Sequence, residues 1–142
     1  MIATRLTILC VFSLSAATFV SACNCVPSVP GKDDIRIRAE LKSYDIVFRG
    51  KLVARRSGMA VFLVNEEWKG KLGKRVEVEW RRGDRGDCSG FWPDDLKIGN
   101  ELIVFATRGR FHVYRTNICS LTTLATDAQG VLRALGPGQI RN

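Results

Sequence analysis

Tyr44-Asp45-Ile46-Val47-Phe48-Arg49-Gly50-Lys51-Leu52-Val53 is the stretch that decides the fold class. From Asp45 the pattern has a period of two: Ile46, Phe48, Gly50 and Leu52 alternate with Val47, Arg49, Lys51 and Val53. Successive side chains of a strand point to opposite faces, so this alternation predicts a strand with one face turned inward. The signal repeats downstream. Arg55 to Gly58 reads as a turn, Met59 to Trp68 as a second strand, and Lys69-Gly70-Lys71-Leu72-Gly73 as another turn. Arg75 to Arg81 then sets Val76, Val78 and Trp80 on one face and Glu77 and Glu79 on the other. Leu102 to Ala106 and Phe111 to Tyr114 form a last hairpin around Arg108-Gly109.

Working outward, Pro27, Pro30 and Gly31 make the preceding segment extended and stiff. Asp33 caps a short helix through about Lys42, with Ile35 and Ala39, and Ile37 and Leu41, as its apolar pairs. After Cys119, the residues Leu124, Ala128, Val131 and Leu135 fit one helical face, and Gly136-Pro137 stops that helix. Five short strands, a long connection between the third and fourth, and a helix at each end predict a mainly β fold. The architecture expected is a five-stranded OB-type barrel with a short N-terminal and a C-terminal helix, stapled by disulfides.

Residues 1–22 read as a secretory signal peptide. Arg5 supplies a positive start, Leu6 to Val20 is almost wholly apolar or small, and Val20-Ser21-Ala22 suits signal peptidase. The run is too short and too rich in hydroxyls for a membrane span. Cleavage after Ala22 leaves residues 23–142 as a single domain, secreted or periplasmic, beginning Cys23-Asn24-Cys25-Val26-Pro27. Of the five cysteines, Cys10 goes with the leader, and Cys23, Cys25, Cys88 and Cys119 remain. Four cysteines in an exported chain read as two disulfides with three connectivities. Cys23 and Cys25 are too close to pair comfortably, so each reaches a distant partner. A four-cysteine zinc site would want paired Cys-x-x-Cys knuckles, which this spacing lacks.

The Cys-Asn-Cys-Val-Pro start, Cys88, Cys119 and the strand Tyr44-Asp45-Ile46-Val47-Phe48-Arg49-Gly50 together resemble the N-terminal domain of the tissue inhibitors of metalloproteinases. The likeness extends over nearly all of residues 23–135 and takes in the wider netrin-like module group. The Glu67-Trp68-Lys69-Gly70 turn is similar to exported, single-domain, bacterial-type members. Two features depart from the animal inhibitors: Val26 to Leu41 holds no cysteine, and none follows Cys119. The resemblance implies the bridges Cys23–Cys88 and Cys25–Cys119.

It also implies a function. A metalloprotease zinc keeps an open position for the water it activates. The α-amine and carbonyl oxygen of Cys23 would chelate that zinc and displace the water. Cys23, Asn24, Cys25, Val26 and Pro27 would lie in the cleft like a substrate, with Asn24 pointing into the pocket beside the metal. Asp87, Cys88 and Ser89 would form the second half of the wedge. The zinc belongs to the partner protease; the chain itself is expected to need no cofactor. The competing reading is a netrin-like binding or envelope module without inhibition. A lipoprotein is a further alternative, because Val20-Ser21-Ala22-Cys23 also fits a lipobox, and lipidation would consume the Cys23 thiol and amine.

The formal net charge is +8 for the whole chain and about +7 once Arg5 is removed. Basic residues concentrate at Arg55-Arg56, Lys69 to Arg75, Arg81 to Arg85 and Arg108 to Arg110, which suggests weak attraction to anionic glycans or membrane surfaces. Nucleic acid is disfavoured, because no aromatic stacking runs interleave with these residues. A monomer is expected. One histidine, His112, no nucleophile motif and no paired carboxylates at readable spacing point away from an enzyme. Asp94-Asp95 reads as a turn or helix start. The tandem triplets Arg82-Gly83-Asp84 and Arg85-Gly86-Asp87 read as a charged glycine turn. Trp68, Trp80 and Trp92 read as core or barrel-end packing.

Overall fold

A computed structural model describes residues 25, 33–80 and 88–141. In chain order its elements are α1 (Asp33–Ser43), β1 (Ile46–Arg56), β2 (Met59–Lys69), β3 (Arg75–Glu79), β4 (Glu101–Arg108), β5 (Tyr114–Arg115), β6 (Thr123–Leu124), α2 (Gln129–Leu135) and β7 (Gln139–Ile140). β1 and β2 form a hairpin in which Arg56 faces Met59, leaving Ser57 and Gly58 as the loop. Both loop residues have positive φ, 49° and 79°, as two-residue turns matched to strand twist require. β2 pairs antiparallel with β3, β3 parallel with β5, β5 antiparallel with β4, and β4 antiparallel with β1. The ring therefore closes: a five-stranded OB-type barrel. Three register shifts in the β1–β2 ladder bend β1 around the wall.

The barrel interior is filled by Ile46, Phe48, Leu52, Phe62, Val78, Leu102 and Val104, among others. Phe48 and Phe62 meet edge to face with centroids 5.6 Å apart, and Phe62 continues to Phe91 at 5.7 Å. A second cluster lies outside the wall: Tyr44, Val47, Ile103, Phe105 and Ala128 sit beneath α1 and α2. This explains why Leu102 to Ala106 is buried without interruption. Alternate residues of β4 face the barrel and the helices, and neither face meets water. The same holds at the start of β1, where Val47 is buried as completely as Phe48.

Gly50 and Gly70 are fixed by close approach. A Cβ on Gly50 would stand 2.9 Å from a Phe48 ring carbon and 3.0 Å from the Leu63 carbonyl oxygen. Gly70 turns the chain after β2 with φ +99°, and a Cβ there would meet Ile46 at 2.8 Å. Buried Glu67 accepts from the Leu72 amide at 3.1 Å and from Arg141, so its charge is satisfied.

Four sequence expectations are corrected. Ile35 is 70% exposed and Ala39 is exposed, so of the two apolar pairs only Ile37 and Leu41 turn inward. Leu124 belongs to β6, paired with Leu102, and the last helix begins only at Gln129. The final strand is Tyr114–Arg115 rather than Phe111 to Tyr114, because Phe111 and His112 take left-handed φ of 59° and 60°. Trp92 is half-exposed, whereas Trp80 packs on the interior cluster and Trp68 on the outer one, its indole N–H donating to the Gly136 carbonyl at 2.7 Å.

Candidate functional site

The long connection between β3 and β4 returns to the barrel at Cys88. Its backbone joins that of residues 116–118: Gly90 N–H donates to the Thr116 carbonyl at 2.8 Å, and Ile118 N–H to the Cys88 carbonyl at 2.9 Å. Ser89 bridges to Asn117 between these bonds. Phe91, next along, is buried in the interior cluster, so the segment is pinned by its main chain and by an aromatic anchor. Cys119 follows directly and forms a disulfide with Cys25, the pairing that the resemblance implied, closing a sequence separation of 94 residues. Cys88 is itself disulfide-bonded.

What holds Cys119 in place is a set of short polar side chains. Thr116 is buried and its hydroxyl donates to the Phe105 carbonyl at 2.8 Å. Thr122 Oγ1 accepts from the Phe105 amide at 2.9 Å and lies 2.9 Å from Thr116 Oγ1. Ser120 Oγ accepts from the Thr122 amide at 3.1 Å, and Asn117 Oδ1 from the Cys119 amide at 3.0 Å. The Asn117 amide also reaches the Tyr44 hydroxyl at 3.5 Å. Burial raises the Tyr44 phenol above its ordinary pKa, and Glu40 adds to the effect. Each of these side chains thereby has a partner, as the low-dielectric interior demands. The sequence reading passed over Thr116, Asn117, Ser120 and Thr122. Their signal was present as a hydroxyl- and amide-rich run flanking Cys119.

The structure thus brings Cys25, Cys88 and Ser89 to one place, linked through Cys119 and Ile118. Cys23, Asn24, Val26, Pro27 and Asp87 lie outside the described residues. So do the signal peptide, Cys10, the Cys23–Cys88 bridge and both Arg-Gly-Asp triplets. Beside the Cys119 loop, a cleft of about 420 Å³ opens between α1, α2 and Trp92, with Asp95 and Asp127 on its walls. Burial raises the Asp95 carboxyl above the usual carboxylate range, with Asp127 and Asp94 pushing the same way. Asp94-Asp95 itself sits in a short 3-10 turn, Pro93–Leu96. Among the described residues, no three His, Cys, Asp or Glu side chains gather as a metal site, and no helix is long and apolar enough to cross a membrane.

Compared with known proteins, the chain matches no family model and no curated protein.

Proposed function

We propose that this chain is an exported inhibitor of zinc metalloproteases, of the netrin-like, tissue-inhibitor kind. The observation that carries the reading is the junction of Cys25, Cys119 and Cys88 on a closed OB-type barrel. One ladder and one disulfide hold Cys25 beside the main chain at Cys88 and Ser89. Two peptide units span at most about 7 Å, so Cys23 is tethered to that rigid junction whatever its conformation. A terminal amine and carbonyl held there would reach an open zinc position with little ordering entropy to lose. The amine has a reference pKa of about 8, so binding at neutral pH releases its remaining proton. Asn24 would enter the pocket beside the metal and contribute selectivity.

The disulfide bond at Cys88 also bears on the lipoprotein alternative. With Cys25 joined to Cys119, the disulfide at Cys88 is compatible with the Cys23–Cys88 bridge that the resemblance implies. A bridged Cys23 has no thiol to give to a lipid.

The test is a panel of zinc endopeptidases assayed with the protein cleaved after Ala22, with its N-terminally acetylated form, and with a form extended by one alanine. Inhibition by the first alone is the expected result. Equal inhibition by all three, or none by the native form, would leave a netrin-like binding module as the better reading.

A further inference from the structure

The tip between β4 and β5 is built in a way that its fold does not require. Gly109 N–H donates to the Val113 carbonyl at 2.7 Å, closing a loop around Arg110, Phe111 and His112. Phe111 and His112 both take left-handed φ, 59° and 60°. A bulky residue adopts that region at a cost in free energy, and such strain clusters at functional positions. Burial does not offset it, because the Phe111 ring is 92% exposed. A phenyl ring is therefore held out into solvent on a tightly closed loop.

Its surroundings are basic. His112 lines a groove of about 310 Å³ together with Lys71, in the turn after β2, and Arg75, the first residue of β3. Arg110 and Lys74, which adjoin this set in the sequence, are exposed as well. Nearby carboxylates are already engaged: Glu77 by Arg56 at 2.8 Å, Glu79 by Arg115, and Asp45 by the Arg108 amide at 2.6 Å. Among the described residues, Lys71, Lys74, Arg75 and Arg110 have no ion-pair partner. No acidic residue occurs between Glu101 and Asp127 in the sequence. The surface thus combines uncompensated positive charge with one projecting apolar ring.

We propose that this tip docks on anionic lipid membranes. Phe111 enters the boundary between headgroups and acyl chains, while Arg110, Lys71, Lys74 and Arg75 meet lipid phosphates. Charge alone would equally suit a sulfated polysaccharide, but a hydrated polyanion gives a projecting phenyl ring nothing to bury. A bilayer satisfies both features at once: electrostatic attraction at its surface and apolar burial just below it. This docking stands independently of the protease reading.

The experiment is co-sedimentation of the whole exported chain with phosphatidylcholine vesicles, with and without phosphatidylglycerol, alongside heparin-column retention. Phe111→Asn keeps a residue that tolerates left-handed φ and removes the ring. It should weaken binding to the anionic vesicles about tenfold or more, from the lost apolar transfer, while heparin retention stays unchanged. Arg110→Ala should lower both. Phe111→Trp should retain vesicle binding and gain fluorescence that brominated lipid quenches. Thermal transitions matching wild type certify each variant's fold. Three outcomes would overturn the proposal: no preference for anionic vesicles, equal vesicle binding by wild type and Phe111→Asn, or parallel loss of heparin and vesicle binding in Phe111→Asn.

Discussion

Arg49 donates to Glu101 at 2.6 Å across the β1–β4 ladder, and the other oxygen of Glu101 accepts from Asn65 at 2.6 Å. One carboxylate thereby ties three strands of the barrel. The Arg49 hydrogen bond lowers the Glu101 pKa against a smaller opposing effect of burial, and Asn65 adds to the lowering. The folded protein therefore holds the Glu101 proton less tightly than the unfolded chain does. This stabilisation is complete above the ordinary glutamate value and is lost as pH falls through the depressed folded value. Glu101→Gln should cost about 1 kcal/mol at neutral pH, since the pair is partly exposed. It should also flatten the acid limb of a stability-versus-pH curve measured by urea unfolding.

Asp95 has the opposite sign. Its raised pKa, caused first by burial, means that the folded state binds this proton more tightly than the unfolded chain. The ionised carboxylate is thus a penalty above the raised value, and it disappears as pH falls below the ordinary aspartate value. Asp95→Asn should raise the midpoint of thermal unfolding at neutral pH and leave it little changed in acid. A lower midpoint at neutral pH would contradict this placement of the side chain.

Gly50 is the tightest spot in the hairpin. Gly50→Ala would drive a methyl group against the Phe48 ring and the Leu63 carbonyl, the latter being backbone that cannot swing away. The expected loss is about 1–3 kcal/mol, the range for overpacking a filled core, read from urea midpoints at constant slope. Gly99→Ala is the control for a turn: a Cβ there meets nothing within 4 Å, and only its φ of +99° is strained.

Cys25→Ser removes the bridge to Cys119. In the chain-entropy account, a loop of 94 residues contributes about 4–5 kcal/mol, less any strain in the folded state. Urea unfolding of this variant should show a midpoint far below wild type, and reductant should narrow the gap between them. A variant as stable as wild type would mean that the polar network around Thr116 holds the Cys119 loop unaided.

The barrel was legible because period-two alternation runs through β1 and β3, and the apolar run from Met59 between two turns reads as the strand that joins them. Burial of Val47, Ile103 and Phe105 was less legible. Their outward face is dry only because two helices dock over it, and docking is a long-range event that alternation does not encode. Leu124 fell to the wrong element because its spacing to Ala128 and Val131 fits a helix, while its pairing with Leu102 lies 22 positions away in sequence. Phe111 was read as strand from its apolar character. The left-handed turn there is dictated by the Gly109–Val113 closure, not by the preference of a phenylalanine. At the site, the cysteines marked where the chain is tied, and the hydroxyls that make the tie rigid were less conspicuous.

The parallel β3–β5 seam consists of two registered pairs, Val78 with Tyr114 and Glu79 with Arg115. Every other join in the ring is antiparallel, and parallel pairing is slightly weaker per residue. Sub-global opening should begin at this seam. Amide exchange at Tyr114 and Arg115 would then outpace exchange in β1 and β4. The transient product is a curled sheet with two free borders, β3 and β5, each able to hydrogen-bond an extended chain. A closed barrel hides every strand edge. This one conceals these two edges behind its one parallel ladder, so a peptide that adds a strand would enter between Val78 and Tyr114.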